Sequence, residues 1–118
     1  KLMEKMDEER MNIGKALGIK LTSAYDQLIE YYGERGLSTM TEYISSSKGP
    51  YTEVKGFGLS SRYIIEDVPY LLVAASSIAK LCSVETPVID LAIKLASLIM
   101  ETDYIKTGYY YDNLSDII

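Results

Sequence analysis

Residues 86–101 read TPVIDLAIKLASLIME and carry the strongest helix signal in the chain. Thr86 suits the N-cap of a helix, and Pro87 suits its first turn. The remaining side chains are apolar except for one stripe, which holds Asp90, Lys94, Ser97 and Glu101. A helix with so narrow a polar face is typical of the centre of a bundle, so we expect it there, with Asp90 and Lys94 forming an i,i+4 pair.

The segment before this helix predicts a second buried one. From Tyr70 to Leu81 only two serines and one lysine are polar, so we expect this helix to be mostly buried. Pro69 disfavours helical geometry at the residue before it, which predicts a break or kink between Asp67 and Tyr70. Cys82 follows in an apolar run and is expected to be a buried, inert thiol.

The N-terminal half contains three further helix signals, each with its own start or stop. Apolar spacing predicts a helix from about Leu2 to Leu17, ended by Gly18. A second helix is predicted to begin at Ser23 and to end at Gly33. A third is predicted to begin at Thr39; the residues that we expect it to bury are Met40, Tyr43 and Ile44.

Two charged residues fall in or beside the apolar stripe of the first helix. Glu9 and Arg10 would be costly to bury there unless each finds a partner. They could lie at the edge of the stripe and reach water along its side. Alternatively, they could form an ion pair that anchors another helix, and the spacing does not decide between the two.

The rest of the chain completes an all-α multi-helix bundle in a single domain, residues 1–118. Residues 45–61, SSSKGPYTEVKGFGLSS, form a long loop, which in a compact domain is more often functional than accidental. In the tail, Gly108 predicts a turn, and one last helical turn is expected after Asp112. Four tyrosines make the tail aromatic: Tyr104, Tyr109, Tyr110 and Tyr111.

Composition excludes several classes of function. The net charge of −5 argues against nucleic-acid binding. No apolar run is long enough for a membrane span, and no secretory leader is visible, so we expect a cytoplasmic protein. With no histidine and one cysteine, the common zinc sites cannot form, and we expect no metal. Gly56 and Gly58 lack the strand and the glycine spacing of a dinucleotide site, so we expect no cofactor to be bound by this chain alone.

The segment SSRYIIEDVPY, residues 60–70, places charged side chains directly after the long loop. In one interpretation, Arg62 and Glu66 are an exposed i,i+4 pair, and Asp67 favours the N-terminus of the next helix. In the other, Arg62 offers a planar fork to a substrate carboxylate and Asp67 orients a histidine. The spacing alone leaves both open.

A family resemblance rests on three stretches. These are RYIIEDVPY at residues 62–70, TPVID at 86–90, and DEER at 7–10 leading to Ala16-Leu17-Gly18. From about Asp7 to Asp103 the chain resembles the helical domain of the octopine/nopaline dehydrogenase family. This resemblance implies the C-terminal helical fold of the 6-phosphogluconate dehydrogenase-like superfamily.

The resemblance also implies an activity and its parts. Opine dehydrogenases reductively condense an amino acid with an α-keto acid, using NAD or NADP as the cofactor. A dinucleotide-binding domain precedes the helical domain, and the substrates lie between them. A histidine acts as general acid and base, an aspartate orients it, and an arginine binds the keto-acid carboxylate. On this sequence, Arg62 matches the arginine and Asp67 matches the aspartate.

The sequence departs from the family pattern in three ways, and these bear on whether the chain is a complete enzyme. The family histidine would lie before the first residue of this chain, and the dinucleotide-binding domain is absent. Near the C-terminus, Gly108-Tyr109-Tyr110 stands where the family tends to show Gly-Arg-Thr. We therefore expect a fragment of a longer enzyme that is inactive alone, and that self-associates through apolar surface left uncovered.

Two other functions fit the same sequence. A non-catalytic helical module could bind a protein partner through the loop 45–61 and the tyrosine-rich tail, since tyrosine is favoured at interfaces. We favour the alternative that the tail tyrosines pack over the edge of the core or against the missing domain. A related dehydrogenase that uses only a keto acid would have the same architecture.

Overall fold

The structure, a computed structural model, describes residues 1–56 and 58–117, and within them every regular element is helical. The sequence prediction of an all-α fold is therefore confirmed. The α-helices are α1 (Leu2–Ala16), α2 (Ala24–Tyr32), α3 (Met40–Ser45), α4 (Arg62–Ile65), α5 (Val73–Leu81), α6 (Pro87–Ile99) and α7 (Tyr104–Thr107). A π-helical turn spans Val68–Leu72 between α4 and α5, and a 3-10 turn spans Leu114–Asp116.

The core lies where the π-helical turn, α5, α6 and α7 meet. Its buried members are Val68, Val73, Ile89, Ile93, Ala96 and Tyr104. Met6 brings α1 against the same cluster. The molecule is flat, with extents of 42 × 36 × 20 Å, so its shortest dimension is about two helix diameters. None of the helices described is long and apolar enough to cross a membrane.

The helix boundaries predicted in the N-terminal half are confirmed. The Ser23 side chain accepts the backbone N–H of Asp26, and Thr39 does the same for Glu42, so both residues cap helices as expected. Gly18 and Gly33 follow their helices with φ of 70° and 83°, the left-handed region that favours glycine. The last turn predicted after Asp112 is the 3-10 turn.

Glu9 joins α1 to the start of α6, an arrangement that neither sequence interpretation anticipated. Its side chain is buried, at 7% exposure, and its carboxylate accepts the backbone N–H groups of Val88 at 2.8 Å and Ile89 at 2.9 Å. Pro87 has no N–H, so these are the first free donors of α6. Thr86 was expected to cap α6, but its side chain makes no capping bond, and Glu9 takes that role.

The neighbouring charges of α1 hold the start of α2. Asp7 accepts the N–H of Ala24 at 2.8 Å, and Arg10 donates to the carbonyl of Thr22 at 2.6 Å. Arg10 also pairs with Asp7 at 2.7 Å. The ion pair of Arg10 is therefore within α1, and the anchor to a second helix is made through backbone groups.

The π-helical turn corrects the expectation of a break at Pro69. The chain stays helical there, because the N–H of Val73 donates to the carbonyl of Val68, five residues back. Tyr70 donates to Glu66 at 3.0 Å, so Pro69 interrupts the backbone ladder without ending it. The irregularity lies where the sequence predicted it, but it has the form of a wider turn.

Three expectations about burial and pairing are wrong. Asp90 does not pair with Lys94 in the part of the chain described; it accepts the hydroxyl of Ser76 at 2.5 Å, which ties α6 to α5. Cys82 is half-buried, because it lies at the C-cap of α5. The N-terminal end of the segment from Tyr70 to Leu81 is also open, with Leu71 62% exposed.

α6 is not at the centre of the bundle, contrary to expectation. One face is buried through Ile89, Ile93 and Ala96. The opposite face is apolar yet exposed, and its members are Leu91, Leu95, Leu98 and Ile99. The polar stripe is narrow because this helix is apolar on two faces, of which the described chain covers one.

Candidate functional site

Arg62 begins the short helix α4, directly after the long loop. Its side chain is 70% exposed, and its Nε lies 3.6 Å from Oε2 of Glu66. The expected i,i+4 pair is therefore present. A single exposed contact of this kind stabilises little, about 0–1 kcal/mol at most, so the guanidinium can be drawn to another carboxylate at small cost. The planar fork of Arg62 stays open to solvent and to a second partner.

Asp67 lies one residue before the π-helical turn and is half-buried. Its backbone is right-handed helical, with φ −67° and ψ −35°. Within residues 1–56 and 58–117, no donor is bonded to its carboxylate. Since the turn that follows is packed into the core through Val68 and Pro69, the backbone that carries Asp67 is held firmly. This carboxylate is thus positioned and available as an acceptor.

The C-terminal tail fixes the turn next to Asp67. The N–H of Tyr109 donates to the carbonyl of Pro69 at 2.9 Å. A Cβ added to Gly108 would lie 2.3 Å from that same carbonyl oxygen and 2.7 Å from the carbonyl oxygen of Tyr104, so only glycine allows this approach. The corner at Gly108, where the sequence departs from the family pattern, is therefore part of the scaffold of the Arg62–Asp67 segment.

The tail tyrosines pack along the edge of the core. The Tyr109 ring lies 4.9 Å from the Tyr70 ring, and Lys80 sits over the Tyr110 ring at 5.6 Å. Tyr104 is buried, and the N–H of Tyr111 donates to Ser77 at 3.1 Å. This arrangement favours the interpretation in which the tail covers the core edge over one in which it awaits a protein partner.

The long loop is partly held by aromatic contacts. Tyr51 donates its hydroxyl hydrogen to the hydroxyl of Tyr32 at 3.5 Å, and the two rings meet edge to face. This hydrogen bond, with burial as the second cause, raises the pKa of Tyr51 to about 12. Gly49 lies against the carbonyl of Tyr43, so the start of the loop follows α3 closely. Gly56 and Gly58 lie in open space.

A well-formed groove lies apart from Arg62 and Asp67. It has a volume of about 360 Å³ and is apolar, and the residues that line it include Met3, Met6, Met40, Leu71 and Leu72. The two charged residues at its rim, Asp7 and Arg10, are already paired with each other and with α2. A small polar ligand needs polar partners, so this groove alone does not form a site for one.

The described residues do not fit a dinucleotide. Gly56 and Gly58 follow no strand in the described part of the chain, and the helix after them, α4, has four residues. A pyrophosphate site of the usual kind needs a strand, a glycine turn and a helix N-terminus in succession. The chain as described also holds no group of three or more side chains that could bind a metal ion.

Sequence reasoning missed two connections in the fold, and one of them had a visible signal. The hydrogen bond from Tyr109 to Pro69 joins residues 40 positions apart along the chain, and no motif signals it. The role of Glu9 had a visible signal: an acidic residue in an apolar stripe, in a chain where Pro87 leaves two amides to satisfy. A buried acid can be paired with the free N–H groups of a helix N-terminus as well as with a basic side chain. Considering that option would have predicted the capping role of Glu9.

Comparison with known proteins agrees with the all-helical fold. A family model described as NAD/NADP octopine/nopaline dehydrogenase, alpha-helical domain, matches residues 1–100. The chain is similar to a protein named Opine dehydrogenase from Arthrobacter sp. (strain 1C), with 35% identity over 115 residues. It is also similar to Protein ocs from Agrobacterium tumefaciens (strain Ach5), at 29% identity, and to Vitopine synthase from Allorhizobium ampelinum, at 28% identity.

These relatives are longer than the chain. The matched segment is 96% of this chain and 31% of the Arthrobacter protein. For the other two relatives the shares are 87% and 90% of this chain, against 28% and 29% of the relative. The chain thus spans about a third of the length of the curated relatives that it matches.

Proposed function

Because the chain belongs to the NAD/NADP octopine/nopaline dehydrogenase family, as its alpha-helical domain, we propose that it is the substrate-binding domain of an opine-type dehydrogenase. The parent enzyme would condense the amino group of an amino acid with the carbonyl of an α-keto acid. Loss of water forms a C=N bond, and a hydride and a proton then reduce it to a secondary amine. NAD(P)H would supply the hydride from a dinucleotide-binding domain outside this chain.

In this proposal Arg62 binds the carboxylate of the α-keto acid. Support comes from its exposed guanidinium, which makes one weak contact with Glu66 and stands next to the long loop. Arginine binds carboxylates through two parallel hydrogen bonds, which would fix the orientation of the keto acid as well as its affinity. Since Glu66 is exposed and its pairing weak, the substrate carboxylate can displace it.

Asp67 would orient a histidine that the rest of the parent provides. The observation that supports this role is a half-buried carboxylate on a rigid backbone, with no donor bound to it among the described residues. A carboxylate that accepts one ring N–H of histidine fixes the tautomer and favours the protonated ring. Asp67 is therefore a positioning residue, and the proton itself would be carried by the histidine.

The parent enzyme offers a direct test. Purified parent protein is mixed with NADH or NADPH, an α-keto acid such as pyruvate, and a panel of amino acids, and cofactor oxidation is followed by absorbance. We expect oxidation that requires both organic substrates, and none with the 118-residue chain alone. Oxidation with the keto acid alone would indicate the keto-acid dehydrogenase instead. No oxidation, together with no G-x-G-x-x-G segment upstream in the gene, would indicate the interaction module.

The role of Asp67 is tested by Asp67→Asn in the parent. The histidine would lose its orientation, so kcat should fall by roughly 10²–10⁴-fold while the KM for the keto acid changes little. The pH dependence of kcat should also shift, which a merely structural loss would not cause. Asp112→Asn, at an exposed position in the tail, is the matched control. An unchanged kcat and pH profile in Asp67→Asn would contradict the assignment. A cytoplasmic location for the parent stays a prediction from the sequence.

A further inference from the structure

The carbonyl of Pro69 has an unusual hydrogen-bond partner. In an α-helix it would accept the N–H of the residue four positions later, which is Val73. Here the N–H of Val73 reaches back five residues and donates to Val68, so Pro69 does not receive it. Pro69 is buried, and a buried carbonyl without a donor costs free energy. The π-helical turn is therefore stable only if another part of the chain supplies a donor.

The backbone N–H of Tyr109 is that donor. It lies 2.9 Å from the carbonyl oxygen of Pro69. Tyr109 comes two residues after the end of α7, and this short helix is fixed in the core by the buried side chain of Tyr104. The N–H of Gly108 closes α7 by donating to the carbonyl of Tyr104 at 2.9 Å. The amide that reaches Pro69 is therefore held by a packed element.

Without this donor, the turn has a second way to satisfy the Pro69 carbonyl. Val73 could donate to Pro69 instead of to Val68, which would convert the π-helical turn into an α-helical one. Such a change of one residue rotates the preceding segment by about 100° relative to α5, and shifts it by about 1.5 Å along the axis. Asp67 is the last residue before the turn. Its carboxylate would then point in a different direction.

We infer that the backbone N–H of Tyr109 is a positioning group for Asp67 in catalysis. This inference rests on the proposed function, in which Asp67 orients a histidine of the parent enzyme. A group with that task has to be held within about 0.5 Å and about 10–20° of its productive geometry. The rotation that accompanies an α-helical turn exceeds this tolerance. Docking of the tail on Pro69 therefore determines whether Asp67 can orient the histidine.

The side chain of Tyr109 can be separated from its backbone N–H by substitution. The ring is 60% exposed and lies 4.9 Å from the ring of Tyr70. Tyr109→Ala removes this contact and keeps the N–H. Tyr109→Pro also replaces the N–H by a ring carbon, so the tail cannot dock on Pro69. Gly108 has the extended backbone that a following proline favours, with φ −89° and ψ −175°.

Kinetics of the parent enzyme test the inference. Tyr109→Pro should lower kcat by roughly 10–100-fold, as expected for a misplaced catalytic constellation. Its pH profile of kcat should move towards lower pH, as in Asp67→Asn, because the histidine loses the carboxylate that favours its protonated form. Tyr109→Ala is the matched control and should keep the kcat and the pH profile of the unmodified enzyme. Equal kcat values and pH profiles in Tyr109→Pro and Tyr109→Ala would overturn the inference.

The double variant D67N/Y109P separates positioning from a general loss of structure. Its kcat should equal that of Asp67→Asn within about twofold, because the Tyr109 amide acts only through the carboxylate that is already missing. Losses that multiply in the double variant would contradict the inference. If circular dichroism shows that Tyr109→Pro does not fold, Gly108→Ala replaces it. That variant moves the same amide away from Pro69 and should give the same kinetic result in its folded form.

The outcome for Asp67→Asn distinguishes this inference from the proposed function. An unchanged kcat in Asp67→Asn would overturn both, since Asp67 would then have no role for Tyr109 to support. A defective Asp67→Asn together with a folded, fully active Tyr109→Pro would overturn this inference alone.

Discussion

The carboxylate of Glu9 accepts the backbone N–H of Ile89 at 2.9 Å, across 80 residues of chain. Together with the bond to Val88, it gives α6 a cap that its own Thr86 does not provide. α1 and α6 pack against each other, and this bond fixes the start of α6 on α1. An acid in the apolar stripe of α1 is thus a structural requirement.

Glu9→Ala should lower the free energy of unfolding by about 2–4 kcal/mol. It removes a buried, charge-assisted acceptor and leaves two amide donors of α6 unsatisfied. Urea unfolding followed by circular dichroism measures the change. Glu8→Ala, at the exposed neighbouring position, should alter stability by no more than about 0.5 kcal/mol. Equal effects of the two substitutions would show that the cap contributes nothing.

Gly108→Ala should destabilise the chain by about 2–4 kcal/mol, because the new methyl group would meet two backbone carbonyls that cannot move independently. The tail should then detach from the π-helical turn, which hydrogen exchange at the Tyr109 amide would report as lost protection. Gly56→Ala provides the control, since open space surrounds that glycine. Stability that is unchanged in Gly108→Ala would argue against the docking of the tail on Pro69.

Ser83→Gly should stabilise the chain by roughly 0.5–1 kcal/mol. Ser83 follows α5 with φ of 57°, in the left-handed region where a side chain causes strain. Glycine removes this strain, and the free energy gained exceeds the entropic cost of ordering a glycine. Gly18→Ala is the reverse experiment: its φ is 70° with no atoms nearby, so it should destabilise through backbone strain alone. Thermal unfolding of the two variants should show Tm changes of opposite sign, and changes of the same sign would refute this.

The raised pKa of Tyr51 predicts that the chain loses stability at alkaline pH. Its pKa is raised to about 12 from an ordinary value of 10.0, so the folded state holds the phenolic proton more tightly than the unfolded state. The stabilisation is complete below pH 10.0 and is lost as the pH rises through about 12. Tyr51→Phe should therefore flatten the fall of unfolding free energy across that interval. Tyr31→Phe, at an exposed ring, should leave the fall as it is.

The sequence predicted the local structure well and the connections between elements poorly. The helices that begin after Ser23 and Thr39 were predicted correctly because N-capping is a local interaction, which the residue spacing within one turn indicates. The Glu9 cap and the contact of Tyr109 with Pro69 join distant segments, so no local pattern contains them. α6 is a further example of a prediction that fails beyond local structure. Its apolar content indicated burial on all sides, but the sequence pattern does not show which of its faces the rest of the chain covers.

In the candidate site, too, the local contact could be predicted from the sequence and the feature that depends on packing could not. The pair of Arg62 and Glu66 follows from their spacing, and it is present. Asp67 has no donor on its carboxylate among the described residues, and this depends on how the π-helical turn packs, which its position next to Pro69 did not reveal. The catalytic interpretation of both residues rests on family resemblance, and only kinetics can test it.

The most direct test of this account is the KM for the α-keto acid in the parent enzyme carrying Arg62→Ala. If Arg62 binds the substrate carboxylate, loss of a charge-assisted hydrogen-bonded pair should raise that KM by about 10–100-fold. Arg62→Lys should recover part of the affinity as a point charge, and Lys55→Ala, which removes an exposed positive charge from the same loop, should change little. A keto-acid KM in Arg62→Ala equal to that of the unmodified enzyme would contradict the assignment of this segment as the substrate site.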